Sequence, residues 1–254
     1  MRRQWSITAV VILALIGPCS PFTRQIRAAA PTVDNALYAR LLERHVHQGV
    51  VDYRGLKQEE PLLDRYLDIL AAVDPDRLAP DERFAFYVNA YNAWTLKLIL
   101  NHYPGISSIK EAGRLWQSPW KKKLARIDGG MLTLDEIEHD ILRTQFKDPR
   151  VHFAVNCASK GCPPLYSIPF NGQDLDRQLD HVTRSFINDP ARYRLEDDVL
   201  FVSRIFKWFG EDFNDDIIGF FQTYAAGDLK TVLEAKARDL KVKFLDYDWS
   251  LNGT

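Results

Sequence analysis

The chain has 254 residues, 46% of them hydrophobic and 26% charged, with 33 Lys and Arg against 34 Asp and Glu. That composition can fill a globular core and excludes disorder, collagen-like and repeat architectures. A net charge of −1 leaves no global positive field to hold a polyanion, so nucleic acid is not expected as a partner.

Residues 1–30 hold Arg2, Arg3, Arg24 and Arg27 and no acid, and the basic start runs into the apolar stretch Ile7 to Ile16. These are the n-region and h-region of a secretory signal, too short to span a bilayer comfortably. The expected location is therefore periplasmic or secreted, with no integral membrane domain beyond an uncleaved leader. Ala28 and Ala30 suit a cleavage site, while cleavage near Ser20 and uncleaved anchoring stay open. The Arg2-Arg3 pair fits an ordinary n-region or twin-arginine export. Without the leader, 29 basic residues face 34 acidic ones, a net charge of −5, and of three cysteines Cys157 and Cys162 remain. Two cysteines in an oxidising compartment suggest a pair.

Residues 31–254 carry no repeat or long linker and are expected to form one domain. Asp34 can cap a helix through Val46, with a strand following at Val50 to Tyr53 and a second helix from Pro61 to Val73. The segment Asp81 to His102 reads as a helix apolar on every side, which marks a central one. Asp128-Gly129-Gly130 predicts a tight hairpin. Thr133 begins the next helix with Glu136 three residues on, the spacing of a capping box, and Leu132 with Ile137 at staple spacing. Its expected core stripe is Leu134, Ile137 and Ile141. Val151 to Asn156 reads as a strand, Asp174 to Asn188 as an amphipathic helix, and Tyr193 to Val202 as a hairpin turning at Glu196 to Asp198. Short helices around Phe206, from Asn214 to Tyr224 and from Leu229 to Leu240 precede a last strand, Val242 to Asp248. Helices interspersed with hairpins give an α+β class.

The strand reading of 151–156 puts Cys157 at a strand end, where a thiol is reachable and rigidly held. Lys160 can lower its pKa, and a Cys157/Cys162 disulfide across the turn at Gly161 is the structural alternative. Strand alternation puts His152 and Cys157, five apart, on opposite faces, which disfavours a local dyad. Glu138 falls on the flank of the apolar stripe, and His139 beside it is a candidate general base. Asn89 and Asn92 are polar exceptions in the central helix, either fastening it to loops or donating to an oxyanion. A zinc site at His152, Cys157 and Cys162 lacks a fourth ligand at zinc spacing, so neither metal nor cofactor is expected. Trp116, Trp120 and Lys121 to Lys123 form an aromatic and basic loop, read as packed anchors on a solvated loop or as a contact for anionic headgroups. No phosphate-binding glycine loop, Gly-x-Ser-x-Gly elbow or His-Glu-x-x-His occurs.

Four ordered motifs then come together: Phe86-Tyr87-Val88-Asn89-Ala90-Tyr91-Asn92-Ala93, Leu134-Asp135-Glu136-Ile137-Glu138-His139, His152-Phe153-Ala154-Val155-Asn156-Cys157-Ala158-Ser159 with Cys162-Pro163-Pro164-Leu165, and Tyr247-Asp248-Trp249-Ser250-Leu251-Asn252. From about Asp52 to Asn252 the chain resembles the "domain of unknown function 547" family of exported bacterial and plant proteins. The resemblance implies a fold similar to the papain and transglutaminase group, with a central helix on an antiparallel sheet and a Cys/His/acid triad at their seam. Here the helix start offers Asn89 and Asn92 and no cysteine. Either the nucleophile has moved to Cys157 or this is a non-catalytic relative.

Two main readings follow. In the first, an exported thiol hydrolase or acyl transferase acts on an amide or ester, with Cys157 as nucleophile, His139 as base, Glu138 orienting it and Asn92 serving the oxyanion. Asn89, His152, Ser159, Lys160 and Cys162 then bind a peptide-like or small-molecule ligand. In the second, a binding or scaffolding module holds Cys157 and Cys162 as a disulfide. Thiol-disulfide exchange is a third, lesser possibility, because a four-residue spacing is not a redox motif.

Overall fold

A computed structural model describes residues 31–113 and 118–254. The expected leader with Cys19, and Trp116, lie outside the described residues.

The chain begins with α1 (Ala36–His45), where Asp34 Oδ1 accepts from the Ala36 N–H at 3.0 Å. The strands β1 (Val46–His47) and β2 (Val50–Val51) form a minimal hairpin. Asp52 then caps α2 (Tyr53–Gln58), so the expected strand ends two residues before Tyr53. Glu60 and Pro61 start α3 (Glu60–Ala71), since a proline in the first turn withdraws only an N–H that has no partner anyway. The same device, with Asp81 and Glu82 favouring the helix dipole, starts α4 (Pro80–Leu100). As expected from its sequence, α4 is buried on almost every side.

Around α4 pack α3, the hairpin strand β3 (Ala125–Ile127) and a wide helix, Glu136–Phe146. β3 pairs with β4 (Gly130–Leu132) through a turn with Asp128 at φ 47° and Gly129 at φ 70°. Both central residues are left-handed, which is why Asp-Gly suits the position. The capping box also forms: Glu136 N–H donates to Thr133 Oγ1 at 3.0 Å, and Thr133 N–H to Glu136 Oε2 at 2.7 Å.

The Glu136–Phe146 helix is wound as a π-helix, with hydrogen bonds reaching five residues back. The wider winding changes the predicted stripe. Leu134, Ile137 and Leu142 are buried, while Ile141 is only partly so.

Residues 151–156 are not a strand. Val151–Ala154 makes one helical turn, α5, after the Asp148-Pro149 stop, and the chain becomes extended at Val155. Then come α6 (Leu175–Ile187), the hairpin β5 (Tyr193–Glu196) and β6 (Val199–Val202), α7 (Ile205–Trp208), α8 (Ile217–Tyr224) and α9 (Gly227–Lys236). The last strand, β7 (Lys241–Phe244), pairs parallel with β6, so the three-stranded sheet mixes both pairings.

The architecture is α+β, with small sheets and a central helix enclosed largely by other helices rather than laid on one broad antiparallel sheet. One continuous buried cluster runs from Tyr38 to Leu251. No helix among the described residues is long and apolar enough to cross a membrane.

Candidate functional site

After β7, residues 247–254 run across the molecule and clamp the cysteine loop. Lys160 N–H donates to the Ser250 carbonyl, Gly161 N–H to Asp248 and Asn252 N–H to Ala158. Gly161 permits this approach, because a Cβ there would stand 2.8 Å from the Tyr247 ring. Ala158 is held at φ 61°, a left-handed conformation that costs a non-glycine residue about 1–2 kcal/mol. The Asn156 Oδ1 that accepts from the Ala158 N–H at 2.9 Å helps to hold it there. Asn156 is itself fixed by Pro163 and Asn252.

Within this loop Cys157 and Cys162 are joined as a disulfide. Both line a cavity of about 230 Å³ together with Tyr91, Trp120, Glu138, His139, His152, Trp208, Phe209, Tyr247 and Trp249. The Ser159 hydroxyl lies 3.1 Å and the Tyr247 hydroxyl 3.3 Å from Cys157 Sγ. A bonded sulfur has no proton to give, and the Ser159 hydroxyl donates to Tyr247 Oη at 3.1 Å, so the Tyr247 hydroxyl is the donor to Sγ. The Cys157 N–H points at Cys162 Sγ, 2.9 Å away.

The helical turn at 151–154 overturns the expectation that His152 and Cys157 face apart, since both reach the cavity. His152 is buried, stacks on Phe209 at 4.1 Å between centroids, and places Nε2 2.6 Å from Asp212 Oδ2. Asp212 also accepts from Arg143 Nε at 2.6 Å. Burial alone would raise the Asp212 carboxyl, but the His152 and Arg143 hydrogen bonds and charges outweigh it and hold the group well below the usual carboxylate range.

His139 has less freedom than its sequence position suggested. Arg143 Nη1–H donates to its Nδ1 at 3.1 Å, and its Nε2 faces Asp135 Oδ1 at 3.6 Å. Asp135, His139 and Arg143 thus form one ladder along the π-helix, which continues through Asp212 to His152. Glu138 does not orient a histidine. It stands beside the Tyr91 hydroxyl, whose pKa is pushed well above the ordinary value by burial first and then by the Glu138 charge and hydrogen bond. Tyr247 is raised to about 12, by burial and also by the Glu138 charge, against the lowering effect of its Ser159 hydrogen bond.

The two amides of α4 have other duties. Asn89 Nδ2 donates to the Phe170 carbonyl at 2.8 Å, and its Oδ1 accepts from the Phe170 N–H at 2.9 Å. Asn92 does the same for Ala154 O and Asn156 N, at 2.9 and 2.8 Å. Both are buried outside the cavity lining. The oxyanion role expected for Asn92 is corrected to fastening, and through Ala154 and Asn156 this amide positions the segment between His152 and Cys157. Ser159 touches the sulfur, whereas Lys160 is exposed and lines a second hollow with Arg192. Cys162 borders both hollows. Trp120 packs in the cavity wall, edge-on to Trp249, and Lys123 pairs with Glu136. Among the described residues no group of three or more His, Cys, Asp or Glu is placed to hold a metal.

Sequence reasoning missed Asp212, Arg143 and Asp135. Asp135 and Arg143, each four residues from His139, were the readable signal. Asp212 had none, because sixty residues of chain separate it from His152.

No curated protein and no solved structure matches the chain. The family described as "Protein of unknown function, DUF547" matches residues 75–187, the stretch that holds the two amides, the π-helix ladder, His152 and both cysteines. The match supports a relation of that stretch to the DUF547 family.

Proposed function

We propose that the cavity is a thiol-dependent acyl-transfer site in an exported protein, a hydrolase or acyl transferase for an amide or ester, with its nucleophile stored as the Cys157–Cys162 disulfide. The observation that carries this reading is the convergence, in one aromatic-walled cavity, of the Cys157 sulfur and the His152–Asp212 pair.

An external dithiol opens the bond: it gives two electrons and two protons to the cysteines and closes to its own disulfide. The Tyr247 hydroxyl, which accepts from Ser159, then donates to Cys157 Sγ, favouring the thiolate. With Nε2–H engaged by Asp212, His152 Nδ1 is the nitrogen left to take the thiol proton. This moves the base role from His139 to His152. Sulfur attacks the carbonyl carbon, the amine or alcohol leaves with the proton held by His152, and water or a second nucleophile removes the acyl group from sulfur.

A second reading, a binding module with a structural disulfide, is favoured by the sulfur–sulfur bond itself. Alkylation followed by mass spectrometry separates the two. Without reductant both cysteines are expected to be protected. After dithiol treatment Cys157 is expected to alkylate faster than Cys162 near neutral pH, to slow at least tenfold in His152→Ala, and to form an acyl adduct with p-nitrophenyl acetate. Two thiols of ordinary reactivity, indifferent to His152 and with no adduct, would leave the binding module.

A further inference from the structure

One part of the cavity wall is a cluster of aromatic rings. Tyr247 and Trp249 lie 4.5 Å apart between centroids, Trp208 and Tyr247 4.7 Å, Trp208 and Trp249 5.7 Å, and Trp120 and Trp249 5.9 Å. Aromatic faces carry negative electrostatic potential and attract cations, tryptophan most strongly. This cluster already holds one: the Lys110 ammonium sits 3.8 Å over the Trp249 ring, and Lys110 itself does not line the cavity.

The charged groups point the same way. Among the described residues the lining carries two carboxylates, Asp135 and Glu138, and no lysine or arginine. The Arg143 guanidinium, which bonds the lining His139, is engaged by Asp212 and Glu211. Glu138 is half-buried and has no cationic side chain as a partner among the ion pairs of the described residues; its neighbour is the Tyr91 hydroxyl. A half-buried carboxylate among aromatic rings lacks a counter-charge, and a ligand can supply it.

We infer that the cavity takes an alkylammonium group, held by the Trp208, Tyr247 and Trp249 faces and neutralised by Glu138. The substrate class of the proposed acyl transfer is then an amide or ester bearing a nearby amine. The substrate statement rests on the proposed function; the binding statement needs only the cavity and no free thiol.

The test therefore uses the oxidised protein, in which no thiol chemistry occurs. Tryptophan fluorescence is titrated with n-butylammonium and with butan-1-ol, which matches its chain but has no charge. The ammonium is expected to saturate the signal at a concentration at least tenfold below the alcohol. That margin should shrink at least fivefold in Glu138→Gln and in Trp208→Ala, the latter at a rim ring that is 42% exposed. Thermal melts of both variants confirm the fold. Equal affinity for the two probes, no saturable binding of either, or an ammonium preference untouched by both variants would overturn the inference. If the ammonium binds as expected but the reduced protein forms no acyl adduct, the acyl-transfer reading fails and the binding site stands.

Discussion

Two polar groups of residues lie within the same apolar body and use their hydrogen-bonding capacity differently. On α4, Asn89 and Asn92 each place an amide nitrogen and an amide oxygen on a backbone carbonyl and a backbone N–H. At the cavity, the ladder from Asp135 through His139, Arg143 and Asp212 to His152 is joined by ionisable groups and opens onto a space that can admit a ligand. A buried amide with both ends paired to backbone fixes geometry. A chain of acids and bases beside a cavity can move charge. The contrast separates residues that hold the site from residues that can act in it.

The largest effect is expected where the fixed group is broken. Asn92→Ala leaves the Ala154 carbonyl and the Asn156 N–H buried without partners, at about 1–3 kcal/mol for each group. The expected loss is about 2–6 kcal/mol in urea unfolding, together with displacement of the cysteine loop. A loss below about 1 kcal/mol would mean that water or a backbone shift replaces the amide, and the contrast would weaken.

Asp212→Asn is expected to cost less than the Asn92 change and to show its effect through pH. The native Asp212 carboxyl titrates well below its unfolded value. Its stabilisation is therefore fully present above about pH 4 and is lost as the pH falls through the native pKa. The stability gap between wild type and Asp212→Asn should narrow as the pH falls below about pH 4, as measured by denaturant midpoints. A gap that does not narrow there would contradict the pairing with Arg143 and His152.

Reduction of the disulfide should cost about 2 kcal/mol, the loop-entropy value for so short a closed loop. A larger loss would place the cysteines with the fixed group instead of the acting one.

How legible this division was in the sequence depends on the range of the interactions. Local signals survive in the fold: the Asp128-Gly129 turn, the Thr133/Glu136 box and the all-round apolar α4 depend on neighbours within a few residues. The apolar run 151–156 misled because a short apolar stretch fits a strand and a buried helical turn equally well, and the Asp148-Pro149 start tips it to the turn. The π-winding was invisible to a 3.6-residue period and moved the core stripe from Ile141 to Leu142. The role of Asn92 depended on where Ala154 and Asn156 lie in space, sixty residues along the chain, which α4 alone does not reveal.

The smallest expected effect sharpens the comparison from its local side. The Thr133 hydroxyl accepts from the Glu136 N–H at 3.0 Å, while Glu136 returns a carboxylate to the Thr133 N–H and pairs with Lys123. Thr133→Ala removes one half of this box, at about 1 kcal/mol. Because Asp135, Glu138 and His139 project from the same helix, the change also asks whether the cavity depends on the start of the π-helix. If the box only begins the helix, stability falls by that amount while the n-butylammonium affinity and the reactivity of reduced Cys157 stay at wild-type values. If either changes severalfold, the cap sets the register of the ladder, and the boundary between holding and acting residues must be moved to include Thr133.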